Sequence, residues 1–321
     1  MRVLITGAGG FVGSQLVKNL LICPAFTQAS FILFDTESTF TGVDPRVSVR
    51  RGDLRDPVVR EALLAGRPEL VFHLAGALGG VAESQYVLSR QVNVDATLML
   101  LEGLRDRKNP PRVVFASSIA VYGPMDPEST VTDQTPAAPL MIYGAQKLMM
   151  ETAINNFSRR GELDGLSLRL PGIVARPDAD ERMKSSYLHR LFDACKGGMD
   201  FTMPVSPDGT SWLTSVAACV DALIHAALLP RGWESGIRAF TLPAQRVSMQ
   251  ELVQGLSRRF PSTRSRIDFA PDLLLEAQFA RQPRLITETA DRLGFKHDGS
   301  IDELVRRAIE PFRFSRTGRP T

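Results

Sequence analysis

The sequence predicts an α/β fold, a doubly wound parallel sheet followed by a smaller mixed α/β C-terminal lobe, and three observations predict it. Short apolar, β-branched runs alternate with stretches of helical periodicity through residues 1–170. A glycine-rich turn, Gly7-Ala8-Gly9-Gly10-Phe11-Val12-Gly13, joins the first such run to the first helical stretch. After Pro171 the alternation loosens. Strands separated by helices of about ten or more residues pair in parallel, and right-handed crossovers bring their carboxyl ends to one edge. Open sheets of this kind hold ligands at that edge.

The elements follow from periodicity. Arg2 to Thr6 is a buried strand and Phe11 to Leu21 an amphipathic helix, with apolar residues at 11, 12, 16, 17, 20 and 21. Further strands are expected at Phe31 to Phe34, ending at Asp35, at Val47 to Val49, and at Leu70 to Leu74. Another covers Val113 to Ala116, which runs into Ser117 and Ser118, and a last one Leu166 to Leu170. Helices are expected at Pro57 to Ala65, over one long stretch from Ser84 to Arg107, and at Met141 to Arg159. Residues 171–321 are assigned mainly to a substrate lobe, with residues 210–230, including the apolar helix Val216 to Leu228, returning to the main domain. Ile237 to Leu242, Met249 to Phe260 and Asp302 to Glu310 supply a strand and helices of the smaller lobe, and Arg316 to Thr321 reads as disordered.

Composition narrows the function classes. Across 321 residues, 38 Lys and Arg against 35 Asp and Glu leave +3, with no run that concentrates charge on one face. A nucleic-acid partner is therefore not expected. Cys23, Cys195 and Cys219 are odd in number and far apart, which fits buried thiols in a reducing cytoplasm. The start MRVLITGAGG lacks a signal-peptide or anchor pattern, so no membrane partner is expected. His73, His189, His225 and His297 have no common metal-ligand spacing, and His73 reads as a core residue.

Glycines at 7, 10 and 13 serve a tight turn, close approach of a pyrophosphate, and helix packing, while the amides and dipole of the helix start favour the phosphates. This strand-turn-helix context makes the main domain a Rossmann-like dinucleotide-binding domain. Asp35, 22 residues past Gly13, stands where a carboxylate accepts the ribose hydroxyls. It would repel a 2′-phosphate, so NAD is expected as cofactor. Asp53 is a candidate for the adenine, Ala75 and Gly76 leave room for a flat ring, and Asn93 orders the crevice. Phe11, Val12, Leu54 and Pro171 complete the expected cofactor wall.

Tyr143 and Lys147 are four residues apart, hence on one face of a helix. A phenol of ordinary pKa near 10 is a poor base, and a neighbouring ammonium favours its phenolate. Ser118, at the end of its strand, is placed to hold a substrate oxygen.

The segments TGAGGFVG (6–13), HLAG (73–76), SSIAVYG (117–123) and YGAQK (143–147) together resemble the extended short-chain dehydrogenase/reductase family, which includes nucleotide-sugar epimerases and dehydratases. The resemblance implies that Tyr143 donates or accepts the proton, Lys147 is the supporting cation, Ser118 bonds the substrate oxygen, and Asn93 is structural beside the cofactor. Three further stretches, VFHLAGALGGVAES (71–84), SRRGELDGLSLRLPGIVARP (158–177) and TSWLTSVAACVDALIHA (210–226), resemble the D-erythronate dehydrogenase branch. That resemblance implies oxidation of a small hydroxy acid at C2 with NAD, the first step of a catabolic route. Ile119 departs from the small residue more usual beside the serine, and 178–184 is polar and undiagnostic.

A small acid needs a carboxylate clamp, and Ser84, Arg176, Arg182 and Trp212 are the candidates. The alternative reading is a nucleotide-sugar epimerase or dehydratase that recycles its NAD internally. Apolar stretches at Leu98 to Leu104 and Leu148 to Ile154 are candidates for a homodimer face.

Overall fold

The computed structural model describes residues 1–37, 44–106, 108–177, 184–231 and 238–310. Arg182 and the tail expected to be disordered lie outside them. A seven-stranded sheet runs from Ala239–Thr241 at one edge through Asp164–Leu170, Arg112–Ser118, Leu70–His73, Arg2–Thr6 and Ser30–Asp35 to Val47–Arg51. Every pairing in it is parallel. This is the doubly wound arrangement that the alternation of strands and helices requires.

The strand period of two divides the core between the two faces. Val3 and Ile5 face one way and Leu4 the other. On the first face, Leu16 and Leu20 of the Phe11–Ile22 helix pack with Val220 and Leu223 of the Val216–Leu228 helix against Phe72, Val114 and Leu168. On the second, Leu63, Leu100 and Leu104 pack with Met150 and Ile154 of the Ile142–Arg159 helix against Val71, Val113 and Phe115. A separate cluster joins the Tyr187–Gly197, Met249–Arg259 and Ile301–Ile309 helices around Leu191, Leu252 and Leu304. Gly172–Ile173, Thr210–Thr214 and Gln245–Ser248 form a small three-stranded sheet beside it.

Two expectations need correction. The long helix from Ser84 is broken. Gly79–Ser84 is a separate turn of helix, Gln85 leaves helical geometry at φ −134° and ψ 66°, and Tyr86–Arg90 leads into a π-turn at Gln91–Ala96 before Thr97–Leu104. The wide turn carries Asn93, which is buried and spans to Ala77 and Gln146. The chain ends its helix at Leu104, and Arg107 lies outside the described residues. The second correction concerns Ala239–Thr241, which joins the main sheet beside Asp164–Leu170 rather than the smaller lobe. Phe240 and Leu242 drive this, since both are buried in the first-face core.

One buried cation ties the sheet together at its amino-terminal side. Arg112, 4% exposed, donates to Asp164 through Nε at 3.0 Å and a terminal nitrogen at 2.6 Å. Its other terminal nitrogen reaches the carbonyls of Ala226, Ala227 and Leu229 at the end of the Val216–Leu228 helix. Arg112→Met leaves Asp164 short of a partner and those carbonyls unsatisfied. The variant is expected to lose about 3–5 kcal/mol of stability in urea unfolding; a loss below ~1 kcal/mol contradicts this role.

Candidate functional site

The first strand leaves the sheet at a turn that only glycine fits. Gly7 has φ 71°, and a Cβ there would lie 2.6 Å from the Ala75 nitrogen. A Cβ on Gly13 would lie 2.0 Å from the Gly7 carbonyl oxygen, so the helix starts directly on the turn. Gly10 donates its N–H back to Gly7 at 3.2 Å. The Asp35 carboxylate lies over this turn, accepting from the Gly9 N–H at 2.8 Å and from the Thr36 N–H at 2.8 Å. Asp53 is clasped by Arg55, whose Nε and terminal nitrogen donate at 2.9 and 2.6 Å and whose hydrogen bonds hold the carboxyl below its usual range. Gly7, Gly10, Phe11, Val12, Gly13, Asp35, Asp53, Leu54, Ala75, Gly76 and Pro171 all line one cleft of 1360 Å³. Backbone amides, a fixed carboxylate and a wall without side chains fit a dinucleotide.

The same cleft reaches Ser118, Tyr143 and Lys147. Ser118 ends its strand in extended geometry and caps the Ile119–Val121 turn, its Oγ accepting from the Ala120 N–H at 3.1 Å. That leaves the hydroxyl proton to donate. Gly144 lets the Ile142–Arg159 helix approach this turn, because a Cβ there would lie 1.9 Å from the Ala120 carbonyl oxygen. Tyr143 is thereby brought beside the turn that holds Ser118.

Lys147 is buried, donates to the Ala116 carbonyl at 2.8 Å, and has its Nζ 5.5 Å from the centre of the Tyr143 ring. Burial pushes Lys147 down to about 8, with the Glu151 charge opposing. Burial likewise pushes the Tyr143 phenol up to about 12, and the Arg176 guanidinium pulls the other way. Arg176, expected from the sequence only as a carboxylate candidate, thus also acts as a cation on the phenol. Asn93 does not line the cleft. It accepts from the Ala77 N–H at 2.7 Å and donates to the Ala77 carbonyl at 3.0 Å and to Gln146 at 2.7 Å, so it fixes the loop under the ring wall to the helix of Tyr143.

The substrate candidates divide. Arg176 lines the cleft with its guanidinium 5.9 Å from the centre of the Phe11 ring. Ser84 lines it too, but its hydroxyl donates to the Gly80 carbonyl at 2.7 Å and has no second proton for a carboxylate. Trp212 is fully buried, its Nε1–H donating to the Pro283 carbonyl at 2.7 Å and its ring edge-on to Tyr122, so it supports the wall from within the core. Arg182 lies outside the described residues. Lys184, His189 and Arg281, which the sequence reading did not select, also line the cleft. They come from chain segments remote from the motifs, and no local spacing marks them. His73, by contrast, is a satisfied core residue between Thr6 and Thr97, at 2.7 and 3.0 Å.

The fold and the cleft define a dinucleotide-dependent oxidoreductase. The NAD dependent epimerase/dehydratase family model matches residues 3–234, and the chain belongs to that family. NAD is the cofactor. The chain is 34% identical over 319 residues to a D-erythronate dehydrogenase of Cupriavidus necator, covering 97% of this chain and 98% of that protein. It is 33% identical over 317 residues to a D-erythronate dehydrogenase of Haemophilus influenzae, covering 97% and 99%. Among solved structures, the nucleoside-diphosphate-sugar epimerase from Agrobacterium tumefaciens is similar with a TM-score of 0.86 at 28% identity, over 95% of this chain and 92% of that one. No helix among the described residues is long and apolar enough to cross a membrane.

The opposing effects on Tyr143 give a pH test. Removing the Arg176 charge takes away a pull that opposes burial and raises the phenol further. In Arg176→Met, the alkaline-rising limb of kcat for hydroxyl oxidation is expected to move to higher pH than in the wild type. A limb that stays in place rules out this cation as a tuner of the phenol.

Proposed function

We propose that the protein oxidises the C2 hydroxyl of a small sugar acid, D-erythronate to 2-dehydro-D-erythronate, in the cytoplasm and as an entry step of sugar-acid catabolism. One observation carries the acid. The cleft wall contributed by chain after Pro171 holds three cations, Arg176, Lys184 and Arg281, the last paired with the buried Glu276 behind the wall, and no acidic side chain lines it among the described residues. Such a wall favours an anionic substrate beside the catalytic hydroxyls. The similarity to the two D-erythronate dehydrogenases points to which anion.

In this reading, the amides of the Gly7–Gly13 turn hold the NAD diphosphate, Asp35 the adenosine ribose, and Leu54, Ala75, Gly76 and Pro171 the flat rings. When bound, NAD+ supplies the hydride acceptor. Ser118, its acceptor side already committed to Ala120, donates its proton to the C2 oxygen. Tyr143 takes the hydroxyl proton. The Arg176 cation favours the phenolate against the burial that opposes it, and the Lys147 ammonium, fixed on the Ala116 carbonyl and 5.5 Å from the Tyr143 ring centre, serves as the supporting cation. Arg176 is also the carboxylate clamp, since its charge acts where Tyr143 holds the neighbouring carbon.

A second reading, a nucleotide-sugar epimerase that recycles NAD internally, is supported by the similarity to the Agrobacterium tumefaciens structure. The two differ in net cofactor reduction. Purified protein with NAD+ and a panel of D-erythronate, L-threonate and other short hydroxy acids is expected to form NADH with D-erythronate preferred. Tyr143→Phe is expected to lower kcat by roughly 100-fold or more with the fold and NAD+ affinity kept. Absence of NADH with every acid moves the assignment to the second reading, and near-normal turnover by the Phe variant removes Tyr143 as the proton acceptor.

Self-association belongs to the same proposal. Met99 and Met149, on the Thr97–Leu104 and Ile142–Arg159 helices, are about half exposed and supply apolar surface for a homodimer.

A further inference from the structure

His189 is 6% exposed, sits on the Tyr187–Gly197 helix and lines the cleft. Its Nδ1 lies 3.2 Å from the backbone nitrogen of Arg176. A main-chain N–H can only donate, so Nδ1 is the acceptor, and in the neutral ring the proton sits on Nε2. Burial pushes the imidazole down to about 4, and the Arg176 charge adds to the effect. The ring is therefore neutral near pH 7, and its tautomer is fixed by the backbone. Nε2–H makes no other hydrogen bond among the described residues.

The backbone bond also has a local purpose. Ala175 has φ 59°, a left-handed conformation unusual for alanine, and it directly precedes Arg176. His189 fastens the turn that aims Arg176. Arg176 in turn acts electrostatically on both Tyr143 and His189, and all three line the same cleft.

We infer that His189 is a specificity residue, its Nε2–H donating to the carboxylate of the acid beside the Arg176 guanidinium. The inference rests on the sugar-acid reading of this cleft. A carboxylate accepts two donors at once, and an N–H of a cleft-lining ring gains a partner when an acceptor-only group enters. A neutral donor does this without adding another cation beside Arg176. An analogue in which the carboxylate is replaced by a group lacking those acceptors leaves Nε2–H unpaired and is rejected.

Two substitutions separate the ring's two nitrogens. In His189→Asn the amide oxygen can replace the Nδ1 acceptor and keep the Arg176 turn, while the Nε2–H donor is lost. In His189→Gln the amide N–H can replace the Nε2 donor. With D-erythronate at saturating NAD+, Asn is expected to lower kcat/KM roughly 10- to 100-fold, mainly through KM. Gln, which keeps the donor but gives up the bond to the Arg176 N–H, is expected to lose less than Asn, and NAD+ affinity is expected to be unchanged in both. The reverse order, or equal losses in folded variants, assigns His189 to the turn alone and overturns the inference. The wild-type protein gives an independent readout through its imidazole 15N resonances. The His189 Nε2 signal is expected to shift when D-erythronate is added to the NADH-bound enzyme, and an unmoved signal with substrate bound overturns the inference. A wild-type protein that neither oxidises nor binds any of the acids overturns the sugar-acid reading and this inference with it.

Discussion

The buried pair of Glu151 and Arg169 holds the candidate active site to the sheet. Glu151 lies one helical turn beyond Lys147 and two beyond Tyr143. Arg169 grips it through Nε at 3.1 and 3.2 Å and a terminal nitrogen at 2.8 Å. Ser117, the neighbour of Ser118, donates to the same carboxylate, and Arg169 also donates to Tyr122, whose hydroxyl bonds Thr241. One carboxylate thus connects the helix of Tyr143 to the carboxyl ends of three adjacent strands. Burying two charges costs several kcal/mol per ion unless their hydrogen bonds are made. Here both ions have several partners, so the pair serves registration: a shift of the helix would break these bonds together.

With that register fixed, the other features meet at one edge. The glycine turn and Asp35 come from the first two strands, Ser118 from a third, and the close approach at Gly144 sets Tyr143 beside it. The chain beyond Pro171 adds the cationic wall. Trp212 and Tyr122 pack together in a small core with Val121 and Val131, joining that wall to the turn after Ser118. The cleft therefore has a wall of main-chain amides and glycines in one part and a cationic wall in another, the division on which the proposed sugar-acid reading rests.

Much of this was legible in sequence because the signals are local. The strand Arg2–Thr6, the turn Gly7 to Gly13 and the helix Pro57–Ala65 are set by period and by glycine chemistry over a few residues. Tyr143 and Lys147 show themselves by helical spacing. What escaped is nonlocal. The π-turn carries Asn93, whose bonds reach Ala77 and Gln146, residues 16 and 53 positions away, and the break at Gln85 has no local breaker residue to announce it. Ala239–Thr241 reads as a short apolar run of no certain destination, and only the packing of Phe240 decides it. His189, Lys184 and Arg281 enter the cleft because the smaller lobe folds onto the sheet edge. Trp212 and Ser84 illustrate the converse: the right neighbourhood, with the polar hydrogen of each committed to a carbonyl.

The central claim is that hydrogen leaves C2 of the acid as hydride while Tyr143 takes the hydroxyl proton. The most direct measurement uses D-erythronate deuterated at C2, incubated with the protein and NAD+, followed by mass spectrometry of the reduced cofactor. The account expects the recovered NADH to carry the label. Unlabelled NADH, or turnover of the acid without net reduction of the cofactor, would contradict it.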